Sequence, residues 1–527
     1  MTTKQGLLAV LTALVVSLIG LTLVSSLNRP QIQDRLELAQ TDLLLQASEW
    51  EPPAEWQVSP SELEVLQAQI LGEDLLATAL GQYENARIET ARSLETVRSQ
   101  QSDLLRVNPE VAGEQLGAIE ATIDGLQRQS DELELYIGLL QTQTGDTEAA
   151  RETWQMLTRE EVGRDRDARP DPEIVTAATV AIGLWSEPTQ VLPIAEESIR
   201  ASFRGWFRDR ALARLYETEG ERDRLAALND RVEANAGDAV RKLAFLTASS
   251  LLGLGSGLTI GAVLLVQRWR RGSEALLARN ADTTWDVPWG WDDIAQAIVG
   301  GFFVVFFTGQ FVSGGLILPQ VLSLLGLQAF ATTARGQAAS ILMSYVLSAA
   351  AALYVLYVTV KPFFPLDKTW LKFRPNWRSI LWGVGGYCCA IPIVIGISIV
   401  NQYLWNGQGG SNPILEVALE SQDWWALGFF ILTAAVAAPV FEEIVFRGFL
   451  LPSLTRYVPV TGAIVISALV FACAHLSASE VLPLMSLGIV LGVVYTRSRS
   501  LFAVMLLHGL WNSNTLLSLV VLGSAPN

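Results

Sequence analysis

Histidine is nearly missing from this chain: 527 residues contain two, His475 and His508. Cysteine is scarcely commoner. Cys388, Cys389 and Cys473 are the whole supply. All three fall in apolar stretches, where they offer neither a disulfide framework nor the paired spacing of a zinc site. They read as small core residues. Positive charge is short as well: 37 Lys and Arg face 53 Asp and Glu, a formal net charge of −16. So acidic a chain lacks the basic surface that nucleic-acid binding needs. What is plentiful is apolar surface. Half the residues are hydrophobic and 16 are tryptophan, a composition normal for a polytopic membrane protein and high for a soluble one.

The charge is unevenly placed. Residues 28–242 hold 41 acidic and 22 basic side chains, the remainder 12 and 15. An acidic soluble domain is therefore joined to a membrane domain. Residues 7–27 carry no charge and follow Lys4. This run is longer than the roughly 7–15 residues of a signal-peptide core, which favours an uncleaved anchor over a cleaved signal. Segment 28–242 is rich in Leu, Ala, Glu, Gln and Arg, with apolar residues at helical spacing, as at Leu63, Leu66, Ile70 and Leu71, and predicts helix. Residues 135–150 and 211–228 each place a glycine turn, at Gly145 and Gly220, between helical stretches. They resemble tetratricopeptide hairpins, a generic helical bundle being the alternative. Pro170, Pro172, Pro188 and Pro193 interrupt the helices between the two.

Beyond residue 242 the apolar runs predict spans at 243–267, 294–318, 338–360, 379–401, 425–451, 461–478, 481–496 and 500–522. Of these, 481–496 is the shortest against the ~20 residues a bilayer needs. The fold class expected is all-α: a polytopic helical bundle of about eight spans plus an N-terminal anchor, with an inserted soluble helical domain. Its layout is 1–27 anchor or signal, 28–242 acidic helical domain, 243–289 span and basic linker, and 290–527 membrane domain. Arg268, Arg270, Arg271 and Arg279 form one basic loop, and Lys361, Lys368, Lys372, Arg374 and Arg378 a second. Arg456 marks a third, and Arg497 with Arg499 a fourth. All four share a side if the N-terminus is cytoplasmic. Glu416, Glu420, Asp423 and Glu480, the 28–242 domain and the C-terminus then lie opposite.

Against this background, ionisable groups inside apolar runs stand out, because each costs a few kcal/mol, about 2.5–3.5 on insertion scales, to place in hydrocarbon. Glu442-Glu443-x-x-x-Arg447 is one such group, and His475 and His508 are others. Glu443 and Arg447 are one helical turn apart and can pair, either as part of a buried centre or as an ion pair snorkelling at a helix end. Glu442 points about 100° away and is left for chemistry, with burial favouring its neutral form. His475 follows Phe471 by a turn, and Asn512 follows His508 by a turn. Two mechanisms fit. Glu442, His475 and His508 match the ligand set of a catalytic divalent metal such as zinc. In the metal-free alternative Glu442 and His475 activate a water, while His508 and Asn512 stabilise an oxyanion.

Glu-Glu-x-x-x-Arg at 442–447, Phe-x-x-x-His at 471–475 and His-x-x-x-Asn at 508–512, in this order on successive apolar helices, resemble the three motifs of the CPBP family. This family groups CAAX proteases with bacteriocin-processing enzymes, and includes type II CAAX prenyl endopeptidases and abortive-infection proteins. The resemblance covers about 290–522 and is most specific over 437–515. It implies an intramembrane endopeptidase in which Glu442 is catalytic, His475 activates water with it, His508 and Asn512 stabilise the oxyanion, and Glu443 and Arg447 support the site. The substrate implied is a membrane-associated protein or peptide. The 28–242 domain lies outside the resemblance and is expected to recruit a protein partner. A catalytically silent scaffold or immunity protein on the same fold is the alternative. A proton-coupled transporter is a third reading, disfavoured because the spans show no two-half repeat.

Overall fold

The computed structural model describes residues 2–27, 33–53, 55, 59, 72, 74–107, 113–159, 170–367, 370–405 and 423–523. Among them every regular element is helical. Leu63, Leu66, Ile70 and Leu71, together with Lys368, Glu416 and Glu420, lie outside the described residues. In chain order the main helices are α1 (Thr3–Ser26), α2 (Gln33–Ala47), α3 (Leu75–Val107), α4 (Gly113–Gln143), α5 (Thr147–Thr158), α6 (Pro172–Leu184), α7 (Ala195–Ser202), α8 (Gly205–Glu219) and α9 (Arg222–Arg271). They continue as α10 (Trp291–Leu324), α11 (Ala334–Phe363), α12 (Trp377–Trp405), α13 (Trp424–Leu454), α14 (Val460–Cys473), α15 (Val481–Ser498) and α16 (Leu501–Gly523). The chain divides into two units: residues 33–246, and residues 1–32 with 247–523.

The 33–246 unit is built from helical hairpins. Gly145 (φ +91) and Gly220 (φ +73) take the left-handed backbone that ends α4 and α8. Asp146 then caps α5 by accepting from the Ala149 N–H. Gly138 lets α4 and α5 close up: a Cβ there would come within 2.2 Å of the Trp154 indole nitrogen, which donates to the Leu135 carbonyl at 3.0 Å. At the second hairpin Glu196 accepts from Arg224, Tyr216 and Arg200, and these donors hold its carboxyl down at about 2.

Asp42 on α2 accepts the hydroxyl of Tyr83 from α3, whose ring meets Tyr136 and Phe207 edge-on. Burial pushes the Asp42 carboxyl up to about 7, against the opposing pull of the Tyr83 bond. The folded state thus holds this proton more tightly than the unfolded chain does. The resulting stabilisation is present below pH ~4 and is lost as pH rises through about 7. Asp42→Asn is expected to flatten that decline. Thermal unfolding of the detergent-solubilised protein at about pH 5 and about pH 8 checks this, because the wild type should lose more midpoint between the two than the variant.

The second unit is a membrane bundle. Among the described residues eight helices are long and apolar enough to span a bilayer: α1, α9–α13, α15 and α16. The all-α polytopic bundle expected from the sequence is thus present, with the N-terminal segment as one of the eight. The segment expected to cross at 461–478 is helical only as α14, 14 residues or about 21 Å, too short for a ~30 Å hydrocarbon core. The helix stops because Leu476 adopts a left-handed backbone, φ +58, which an α-helix cannot carry. Residues 474–480 continue as turns, and their backbone is satisfied by protein. The Ala478 N–H donates to Ser26 Oγ at the end of α1, and Asn401 near the end of α12 donates to the Ser479 carbonyl at 2.8 Å. Non-helical backbone at membrane depth is tolerated only with such partners. The segment expected to be weakest, 481–496, forms α15 with 18 residues.

Contacts gather the basic loops at the opposite end of the bundle. Arg456 donates to the Val287 and Trp289 carbonyls. Arg497 donates to the Leu277 carbonyl at 2.7 Å, and Arg499 lies over the Trp285 ring. Lys372 accepts from the Leu501 N–H through its carbonyl at 2.8 Å. Lys4 and Gln5 reach the same end through Asp293 and Asp292.

Small residues set how closely the helices of the site approach. Gly488 and Gly492 are one turn apart on α15. A Cβ on Gly488 would sit 2.9 Å from Ala468 Cβ, and one on Gly492 2.8 Å from Ile464. Close backbone approach of this kind drives helix association in lipid. Gly488→Val is expected to push α15 off α14 and destabilise the protein by roughly 1–3 kcal/mol, read as a lower unfolding midpoint in detergent.

Candidate active site

Glu442 and Glu443 lie in a short α-helical turn of α13, Ala438–Glu443, between two π-helical stretches, Leu432–Ala437 and Ile444–Leu450. The first stretch has a local cause. The N–H of Ala438 donates to the Thr433 carbonyl. The next residue is Pro439, which has no N–H to give. The Ala434 carbonyl therefore lacks the donor that a continued π-helix would supply. Asn512 of α16 provides one instead, its amide donating to the Ala434 oxygen at 2.6 Å. Gly509 permits the approach, since a Cβ there would fall 2.6 Å from the Ala435 oxygen. The two helices are thus locked together one turn from His508.

The adjacent glutamates have separate surroundings. Glu443 and Arg447 are both fully buried, at 0% exposure, so the snorkelling alternative does not apply. Arg447 Nη1 donates to Glu443 Oε1 at 2.7 Å, and Nη2 to the Gly488 carbonyl at 3.2 Å. The guanidinium stacks over the Phe471 ring, 4.5 Å from its centre. The same Glu443 Oε1 lies 2.9 Å from His508 Nδ1. An ionised carboxylate only accepts, so that contact places the imidazole proton on Nδ1.

Glu442 points toward α11. The Tyr345 hydroxyl donates to its Oε1 at 3.3 Å. Its Oε2 is buried and has no hydrogen-bond partner among the described residues. That oxygen stands 3.9 Å from His508 Nε2. His508 therefore bridges the two acids, held by Glu443 on one nitrogen and facing Glu442 with the other.

His475 reaches the group indirectly. It follows the end of α14, where its Nδ1 lies 3.0 Å from the Phe471 carbonyl; a carbonyl accepts, so Nδ1 carries the proton and Nε2 presents a lone pair. Phe471 ties the two histidines together, its ring meeting His475 at 5.0 Å and His508 at 5.7 Å, both edge-on. Of the six residues singled out from sequence, four form one chain, Arg447 to Glu443 to His508 to Glu442. His475 joins through Phe471, and Asn512 is bonded to α13.

Tyr345 was not anticipated. A signal exists: Ser340, Ser344 and Ser348 recur every fourth residue beside it in an apolar helix, a polar stripe that must find partners in the bundle. Ser344 does, through Ser313 at 2.8 Å and Gln310 at 3.0 Å.

The donors do not fit a metal ion. Among the described residues no three His, Cys, Asp or Glu side chains converge to hold one.

The molecule is thus an all-helical, multi-pass integral membrane protein with a buried carboxylate–histidine centre. Residues 424–514 match the family model described as type II CAAX prenyl endopeptidase Rce1-like, and the chain carries a domain of that kind. The match takes in Glu442, Glu443, Arg447, His475, His508 and Asn512, and supports a CAAX-protease-like function at family level. Comparison with curated proteins and with solved structures gave no match.

Proposed function

We propose that this protein is an intramembrane endopeptidase that hydrolyses a peptide bond of a membrane-associated protein or peptide without a metal. The observation that carries the reading is the pairing of Glu442 Oε2 with His508 Nε2 at 3.9 Å. Two acceptors that share one water stand about 4.4 Å apart when each hydrogen bond is ~2.8 Å and the water keeps its H–O–H angle. A water donating to both turns its lone pair toward the substrate carbonyl. Glu442 takes the proton as attack proceeds and returns it to the leaving amine. Glu443 supports His508 as the buried carboxylate of a catalytic triad supports its histidine, fixing the tautomer and balancing charge that develops on the ring.

His475, with its Nε2 lone pair free, would accept a hydrogen bond from the departing amine. Asn512, with one amide hydrogen given to Ala434, anchors α16 and leaves its second hydrogen for the oxyanion. The bundle end that gathers the arginines would face the cytoplasm by the positive-inside rule, with the N-terminus. The 33–246 unit would recruit the substrate or a partner. A half-open cavity supports this, where Trp206, Asp209, Arg210 and Asn229 meet Gln46, whose buried Oε1 has no partner among the described residues.

The test maps peptide termini in membranes of a deletion strain carrying the wild type or Glu442→Ala. New C-termini that require Glu442 are the expected result and identify the substrate. Matching proteomes, with both proteins rescuing the deletion phenotype, would instead support a non-catalytic scaffold.

A further inference from the structure

Glu442 has two carboxylate oxygens, and its usefulness as a base depends on which one faces the water. Left alone, the carboxylate rotates freely about a broad, two-fold torsion. Tyr345 removes that freedom. Its hydroxyl occupies Oε1 at 3.3 Å, leaving Oε2 as the oxygen that faces His508 Nε2. The phenol is itself fixed. Its ring packs edge-on against Phe306 at 5.2 Å and against Phe441 at 6.2 Å, and Phe441 is the residue immediately before Glu442. The preceding residue, Ser344, is bonded to Ser313 and Gln310 of α10, which sets the height of α11 in the bundle. Tyr345 lies outside the 424–514 match, so the family comparison does not supply it.

We propose that Tyr345 is a positioning residue for the proposed hydrolysis: its hydroxyl divides the Glu442 carboxylate into one anchored oxygen, Oε1, and one working oxygen, Oε2. The inference rests on the hydrolytic reading above. It is distinct from simple interhelical adhesion, which the aromatic ring alone would provide.

The experiment compares washed membranes containing wild type, Glu442→Gln, Tyr345→Phe or Tyr345→Leu. It follows the rate at which Glu442-dependent termini appear, per copy of full-length protein. Counting per copy keeps poor accumulation from imitating slow turnover. Tyr345→Phe retains the ring contacts and should keep the wild-type unfolding midpoint, yet cleave about 10- to 100-fold more slowly, the range expected when a reacting group is misplaced. Tyr345→Leu should be at least as slow. A synthetic peptide spanning the mapped cut site should show the loss in kcat, with KM within about two-fold, as for an interaction that acts in the transition state. Tyr345→Phe at the wild-type rate beside a slow Tyr345→Leu would overturn the proposal and leave Tyr345 a packing residue. Wild-type membranes without any Glu442-dependent termini would remove the hydrolytic reading, and this inference with it.

Discussion

Glu442→Gln is expected to fold as the wild type does and to cleave at least about 10³-fold more slowly, within the range that a positioned general base contributes. The carboxamide keeps the shape of the side chain and an oxygen for the Tyr345 hydroxyl. It cannot take a proton from water. Folding should not suffer, because Glu442 is not the hydrogen-bond partner of Arg447; that cation is held by Glu443 and the Gly488 carbonyl. The measurement is the rate of terminus formation beside the thermal midpoint of the same preparation. A variant that still cleaves within ten-fold of wild type would take the base assignment away from Glu442.

Arg447→Ala is expected to fail in the opposite sense, through stability. Both members of the Glu443–Arg447 pair are fully buried. Deleting one partner of a buried ion pair leaves an uncompensated charge and costs about 3–5 kcal/mol. Here Glu443 would keep only His508 Nδ1 as a donor, and α13 would lose its bond to Gly488 on α15. Arg447→Lys should recover only part of the loss, since an ammonium lacks the planar fork that reaches Glu443 and Gly488 together and lies flat on Phe471. Chemical or thermal unfolding in detergent gives the comparison. An Arg447→Ala midpoint equal to wild type would mean that the pair contributes no net stability.

The residues of the centre were legible because charge and histidine are scarce in the apolar runs. Glu442, Glu443, Arg447, His475 and His508 are visible against that background without any structure. The i, i+4 spacing also foresaw the Glu443–Arg447 pair. Which Glu442 oxygen is left to face His508 was only half legible: spacing separates the two acids, but Tyr345 lies 97 residues from Glu442 and no local pattern joins them. The α14 break was equally hidden. Leu476 is an unremarkable residue by type, yet it takes a left-handed backbone with no glycine to mark the place, and the bonds to Ser26 and Asn401 that follow it at Ala478 and Ser479 come from distant helices. The seat of Asn512 was illegible for another reason. It answers a carbonyl that only the combination of Pro439 and a π-helical stretch leaves unmatched.

That combination has a consequence for how the centre is assembled. In lipid a stranded carbonyl cannot turn to water, so α16 is free to slide along α13 only until Asn512 meets Ala434. A slip of one turn, about 5.4 Å, would strand the oxygen again and carry His508 away from both acids. The hydrogen that proline lacks thus acts as a detent: it indexes one helix against another, and the alignment of the two reactive groups is set by an atom absent from the backbone.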